Sequence, residues 1–428
     1  MWDPSRARSR RRASGYVRNV GVGVRVSELA HGTLAGLAEI ADIGRDARRG
    51  GYSRQLWQGP DLELRAWFAL RAERLGLAVE TDRNGNLWAW WGTPGPDAVV
   101  TGSHLDSVPG GGAYDGPLGV VSALEAIGRL QASGFTPSRP CAVLVFAEEE
   151  GSRFGIACLG SRLLTGGIDA DRARALTDAD GITLAEAAAT AGLDPRRLGA
   201  DPEALARISL FLELHVEQGR GLIDLGRPVA VASSILAHGR WRLTVSGQGN
   251  HAGTTLMTGR RDPMVAAARA IVAVQETAAA IPGARATVGR LEVVPGGTNV
   301  IASSVHAWLD ARCDTEAGTR ALVAAITAQV ERAVSLNGCS VAVTEESWTG
   351  TVAFDAALAG RFAAALGGVP ALPTGAGHDA GVLSASVPSA MLFVRNPTGI
   401  SHSPEEFAEV EDCVAGIDAL EALLRSLL

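Results

Sequence analysis

The sequence predicts an α/β protein in two parts: a large sheet covered by helices, interrupted by a smaller ferredoxin-like unit in β-α-β-β-α-β order. Three observations point there. Short β-rich runs alternate with helical stretches. One of them, 142–146, is apolar throughout, as a strand buried on both faces is. At 428 residues, the chain is also longer than one core usually serves.

Taken in order, residues 26–76 carry a helical pattern, with Leu29, Leu34, Leu37 and Ile40, then Leu64, Trp67, Phe68 and Leu75, on apolar faces. Strands are expected at 78–80, 87–91 and 98–103, a helix at 118–131 and a strand at 142–146. The inserted unit is read as strand 240–246, helix 262–281, strands 287–294 and 304–310, helix 316–336 and strand 340–344. After it the α/β pattern resumes with helix 356–366 and strand 389–394. The expected division is a disordered basic leader over 1–24, a catalytic domain over 25–227 and 347–428, and an insertion over 228–346.

Composition narrows the function. The chain is 46% hydrophobic and 20% charged with a net charge of −7, which fits a globular enzyme and argues against a nucleic-acid-binding role. Apolar runs such as 141–147 fall far short of the ~20 residues that cross a bilayer, so no membrane association is expected. The arginine cluster at 6–12 is followed by no apolar stretch and is not a secretion signal. Five cysteines without short spacing read as free thiols in a reducing cytoplasm.

The chemistry lies at strand ends. His104 and Asp106 close the 98–103 run and point to the same side of an extended chain, which makes Asp106 the expected carboxylate partner of the imidazole. Asp115 sits in a glycine-rich loop with Gly110, Gly111, Gly112 and Gly116, and its two oxygens suit a bridge between paired cations. Glu148, Glu149 and Glu150 follow the 142–146 strand, where adjacent carboxylates repel unless cations or solvent relieve them. His215 ends the apolar run 209–214, and His402 follows strand 389–394. Three strand-terminal histidines with intervening carboxylates describe a site for two divalent cations, and one Glu is left over for proton transfer. Mixed imidazole and carboxylate ligands suit zinc or manganese, and also accept cobalt or nickel.

These segments together resemble the ureido-cleaving amidohydrolases of the dinuclear metallopeptidase superfamily: allantoate amidohydrolase, N-carbamoyl-L-amino-acid hydrolase and β-ureidopropionase. The resemblance rests on Gly102-Ser103-His104-Leu105-Asp106-Ser107, Asp115-Gly116-Pro117-Leu118-Gly119, Glu149-Glu150-Gly151-Ser152-Arg153-Phe154, Glu213-Leu214-His215-Val216-Glu217-Gln218-Gly219, His251-Ala252-Gly253-Thr254-Thr255 and Gly377-His378-Asp379-Ala380. It implies a metallopeptidase-like catalytic domain with the insertion as lid and dimerisation domain. It further implies that His104 and His215 hold separate ions completed by Glu150 and His402, that Asp115 bridges them, and that Asp115-Gly116 is a cis peptide. Glu149 is then the proton shuttle and His251 the oxyanion donor, supplied by the partner of a homodimer. Arg312, Asn299, Gln218 and His378 are the implied contacts to a small anionic ureido substrate. Related peptidases carry an acidic ligand where His215 stands, so the histidine favours ureido over peptide substrates.

The resulting expectation is hydrolysis of a ureido group to ammonia, carbon dioxide and an amine, with allantoate ahead of N-carbamoyl-L-amino acids. An aminoacylase or dipeptidase on the same scaffold is disfavoured by His215 and Gln218. A metal-free small-molecule-binding protein is the alternative of a different class, and it has no need of Glu149.

Overall fold

The computed structural model describes Gly32 and residues 34–428. The basic leader expected over 1–24, and the start of the helical stretch at 26, lie outside the described residues. Fifteen strands form three sheets among the described residues.

The first sheet contains β1 (Ala78–Thr81), β2 (Leu87–Trp91), β3 (Ala98–His104), β4 (Cys141–Phe146), β5 (Ile208–Val216) and β6 (Val229–Ile235). The small-sheet strands follow: β7 (His238–Ser246), β8 (Asn250–His251), β9 (Arg285–Val294), β10 (Val300–Ile301), β11 (Ser304–Arg312) and β12 (Ser340–Thr349). The chain then returns to the first sheet with β13 (Val352–Ala353), β14 (Ala371–Thr374) and β15 (Ser389–Val394).

The large sheet has the order β1-β2-β4-β3-β5-β15-β6-β13, with β14 beside β6. Its centre, β4-β3-β5-β15, is parallel, while β2 and β6 flank it antiparallel. Every residue of β3, β4 and β15 is buried, which the unbroken apolar run of β4 predicts for that strand. Helices Pro117–Ala132 and Val410–Leu427 pack on one another and cover one face. Parallel strands deliver all their C-terminal ends to one edge of the sheet, where α/β folds place their sites. His104, the 148–150 carboxylates, His215 and the 395–402 loop all leave from that edge.

Gly102 allows β3 to lie so close to β4, since a Cβ there would sit 1.8 Å from the carbonyl oxygen of Leu144. Helix Pro117–Ala132 approaches closely for the same reason, a Cβ on Gly119 falling 2.2 Å from the Leu214 carbonyl.

The second sheet, β12-β7-β11-β9, is antiparallel throughout and carries helices Pro263–Ala279 and Glu316–Ser335 over a separate core. Along β11 burial alternates strictly, so Val305, Ala307, Leu309 and Ala311 face the helices and Asp310 and Arg312 the other side. This sheet begins at His238 and ends at Thr349, whereas β6, which starts just after residue 228, pairs in the large sheet. β12 also runs five residues past the strand expected at 340–344, crossing a register shift between Glu345 and Ser347. The third sheet is the short pair β8 and β10, joined at His251 and Val300.

Candidate metal centre and substrate cavity

β3 and β5 are neighbours, and they bring the Nε2 atoms of His104 and His215 to 3.5 Å. One oxygen of Asp115 lies 3.4 Å from His104 Nε2 and 3.2 Å from His215 Nε2. Its other oxygen lies 3.5 Å from His402 Nε2, which is in turn 3.2 Å from Glu150 Oε2. Two triads, His104/His215/Asp115 and Glu150/His402/Asp115, therefore meet on one carboxylate. Nitrogen and oxygen ligands about 2.0–2.1 Å from a tetrahedral cation lie about 3.3 Å from each other. All five separations fall at that spacing, so these donors fit two divalent ions.

The grouping corrects one expectation: His104 and His215 share a triad and do not belong to separate ones. β3 and β5 are adjacent parallel strands, and their C-terminal imidazoles meet at the same edge of the sheet. Asp115-Gly116 also differs, since the only cis peptide bond among the described residues is Val294-Pro295. The bend after Asp115 comes from Gly116 at φ 83°, where a Cβ would strike the His104 ring at 2.4 Å.

Each imidazole is oriented from behind. His104 Nδ1 donates to the carbonyl of Asp106 at 3.1 Å and His215 Nδ1 to that of Val216 at 2.9 Å, which turns both Nε2 lone pairs inward. The Asp106 carboxylate, 3.5 Å from His104 Nδ1, instead accepts the backbone N–H groups of Glu149 and Glu150 at 3.2 and 3.0 Å. Asp106 thus positions the acidic loop as well as the imidazole.

Glu149 stands outside both triads, with Oε2 3.6 Å from His104 Nε2 and Oε1 accepting from the Cys158 thiol at 3.2 Å. Burial pushes its pKa well above the usual carboxylate range. Backbone strain collects here: Glu148, Cys158 and His402 are three of the four non-glycine residues with positive φ among the described residues.

A cavity of about 500 Å³ opens onto this cluster and is lined by Glu149 and Glu150 together with Arg240 and Arg312 of the small sheet. His378 is buried against His215, their ring centres 4.5 Å apart, and its Nε2 has no partner. Desolvation, then the neighbouring His215, hold His378 well below the usual imidazole pKa, so it faces the cavity neutral. Gln218 donates to Asp115 Oδ2 at 2.8 Å and leaves its Oε1 unpartnered. Arg312 is held by both oxygens of Asp310 and by the carbonyl of Gly375.

His251 and Asn299 are not brought to this cavity. They sit together on the exposed β8–β10 pair, where Ala252 N donates to Asn299 O at 3.0 Å. His251 Nδ1 accepts from Gly253 and Thr254, which leaves Nε2 outward.

Two positioning residues escaped sequence reasoning. Glu406 Oε1 accepts the N–H groups of Tyr114 and Asp115 at 3.0 and 2.9 Å, and Ser401 bridges Glu406 to Asp115 Oδ2. Both lie in the segment that carries His402, but an acidic residue beside a loop serine gives no sign of a contact 291 residues away.

Proton competition follows from the donor set. The Glu150 carboxylate beside His402 raises its pKa to about 9, so without a cation it carries a proton at neutral pH. That proton must leave as a cation enters, so below pH 9 affinity should rise about tenfold per pH unit for each proton displaced. Metal titrations at pH 6, 7 and 8 check this; affinity independent of pH contradicts it.

The sequence profile of peptidase family M20/M25/M40 matches residues 100–426. An N-carbamoyl-L-amino acid amidohydrolase of Geobacillus stearothermophilus is 38% identical, covering 90% of this chain and 95% of its own. An allantoate amidohydrolase of Bacillus subtilis is 32% identical over 91% of this chain and 95% of its own. Among solved structures, a hydantoinase/carbamoylase-family amidase from Burkholderia vietnamiensis superposes with a TM-score of 0.82 at 31% identity, covering 92% of this chain and 96% of that one.

Proposed function

We propose, for a chain that belongs to peptidase family M20/M25/M40, that its site hydrolyses the ureido group of a small carboxylate-bearing substrate to ammonia, carbon dioxide and an amine. The chain is a metal-dependent amidohydrolase acting on carbon–nitrogen bonds outside peptides. The observation that carries the finer reading is two ligand triads sharing Asp115, with Glu149 left free beside them in a cavity that is also lined by guanidinium groups. A binding protein without metal has no use for that spacing.

His104, His215, Asp115, Glu150 and His402 would hold two cations, zinc or manganese first among those compatible. Bound there, the ions supply an acidified water and polarise the ureido carbonyl. Glu149 takes the water's proton as the oxygen attacks the ureido carbon, then hands it to the departing nitrogen as that C–N bond breaks; the carbamic acid left behind loses carbon dioxide in water and so frees the second nitrogen. Cys158 occupies Oε1, so Oε2 is the oxygen free for that transfer. Neutral His378 and the unpartnered Oε1 of Gln218 offer polar contacts to the ureido group. Arg312 offers a carboxylate clamp once the substrate shares or displaces Asp310.

His251 and Asn299, outside this cavity, are assigned to the site of the partner in a homodimer, His251 as oxyanion donor. The small sheet is assigned the lid, because its Arg240 and Arg312 line the cavity together with the metal-ligand candidates of the large sheet. A cytoplasmic location belongs to the same reading and rests on five free cysteines. No helix among the described residues is long and apolar enough to cross a membrane.

For the finer choice we place N-carbamoyl-L-amino acids ahead of allantoate, the opposite of the order expected from the sequence. Ile235, Val352, Val382 and Ala385 line the cavity and suit the apolar stem of an amino-acid side chain. Ammonia release by the metal-loaded protein on allantoate, N-carbamoyl-L-amino acids, 3-ureidopropionate and a dipeptide tests both levels. Carbamoyl amino acids are expected to lead; faster turnover of allantoate would reverse the order, and cleavage of the dipeptide alone would remove the ureido reading.

A further inference from the structure

Arg162 lines the same cavity from helix Leu159–Thr165. Its Nε donates to the carbonyl of Ala157 at 2.9 Å, which fixes the guanidinium plane. Among the described residues neither terminal nitrogen meets a protein acceptor, and no carboxylate lies within ion-pair distance. Arg312, by contrast, has Asp310 on three hydrogen bonds, and Arg240 approaches Asp310 at 3.8 Å. Arg162 is therefore a cavity cation without a counter-charge of its own.

Its position is set by the chemistry already described. Cys158, which touches Glu149, caps the helix, and Arg162 stands four residues further on, about 6 Å along the axis. This helix packs against Asp379–Leu383, which carries Gly381 and Val382. Ile235 lies against Gly381 and Val352 pairs with Ile235, and these residues line the same cavity as Arg162. A ligand side chain that suits both features has an apolar stem and an anionic end.

We infer that Arg162 is a specificity residue that grips a second carboxylate on the substrate, so that the preferred substrates are N-carbamoyl derivatives of acidic L-amino acids. This rests on the ureido-hydrolase reading above. Two parallel N–H donors match a carboxylate and not a carboxamide, because the amide lacks the charge and one of the two acceptor oxygens.

The test compares kcat/KM for N-carbamoyl-L-glutamate with N-carbamoyl-L-glutamine, which differ only at that end, using the metal-loaded enzyme. The acid is expected to lead by about 10- to 100-fold, the size of one charged hydrogen-bonded contact. In Arg162→Gln the acid-to-amide ratio should fall to near 1, while Arg162→Lys keeps part of the preference. A wild-type ratio near 1, with the amide readily hydrolysed, overturns the role of Arg162 and leaves the ureido reading standing. Ammonia release from neither compound, nor from any other ureido acid, removes the reading on which it rests. Should Arg162→Gln fold poorly, Arg162→Lys decides: an acid-to-amide ratio unchanged from wild type overturns the role of Arg162.

Discussion

Glu149→Gln is expected to lower kcat by about 10²- to 10⁴-fold while both cations stay bound. The side chain belongs to neither triad, so metal content should not follow activity down. Its Oε1 already accepts from Cys158 and its backbone N–H is anchored on Asp106, so an amide of the same shape keeps its place. What the amide lacks is a pair of electrons basic enough to take a proton from water. Turnover against metal content per subunit is the measurement. A variant that holds its metal and still turns over at the wild-type rate would remove Glu149 from the chemistry.

The second large effect belongs to Asp115→Ala. One oxygen serves His104 and His215 and the other serves Glu150 and His402, so a single truncation removes a ligand from each triad. Both cations are expected to be lost on dialysis, and activity with them. Glu150→Ala is the matched comparison, because it touches only the triad with His402 and should leave the His104/His215 cation in place. Elemental analysis of the two variants distinguishes a shared carboxylate from two independent sites. Equal losses in both, or retention of two ions by Asp115→Ala, would contradict the shared arrangement.

Much of this site was legible because parallel strands carry it. His104, His215 and His402 each follow a run whose apolar composition marks a buried strand, and strand ends of such a sheet converge whatever their separation along the chain. The β-α-β-β-α-β order of the small sheet was legible from alternating strands such as β11 and from long amphipathic helices. How the ligands pair was not legible, because it depends on which strands are neighbours: β3 beside β5 places His104 with His215.

The join at residue 228 misled for a related reason. β6 is apolar enough to belong to either sheet, and only its pairing with β15 assigns it to the large one. Glu406, Ser401 and Arg162 escaped because a supporting hydrogen bond, or the lack of a counter-ion, leaves no periodic trace in a sequence. His251 and Asn299 were singled out by motif alone, and the fold places them side by side yet away from the cavity of their own chain.

Five side chains carried by four strands, with His104 and Asp115 both following β3, are proposed to cage two cations on one shared carboxylate. Anomalous-scattering maps of the manganese- or zinc-loaded protein test it most directly. Two peaks are predicted, one among His104, His215 and Asp115 and the other among Glu150, His402 and Asp115. A single peak, or one displaced into the neighbouring group of Glu213, His215 and His378, would contradict it.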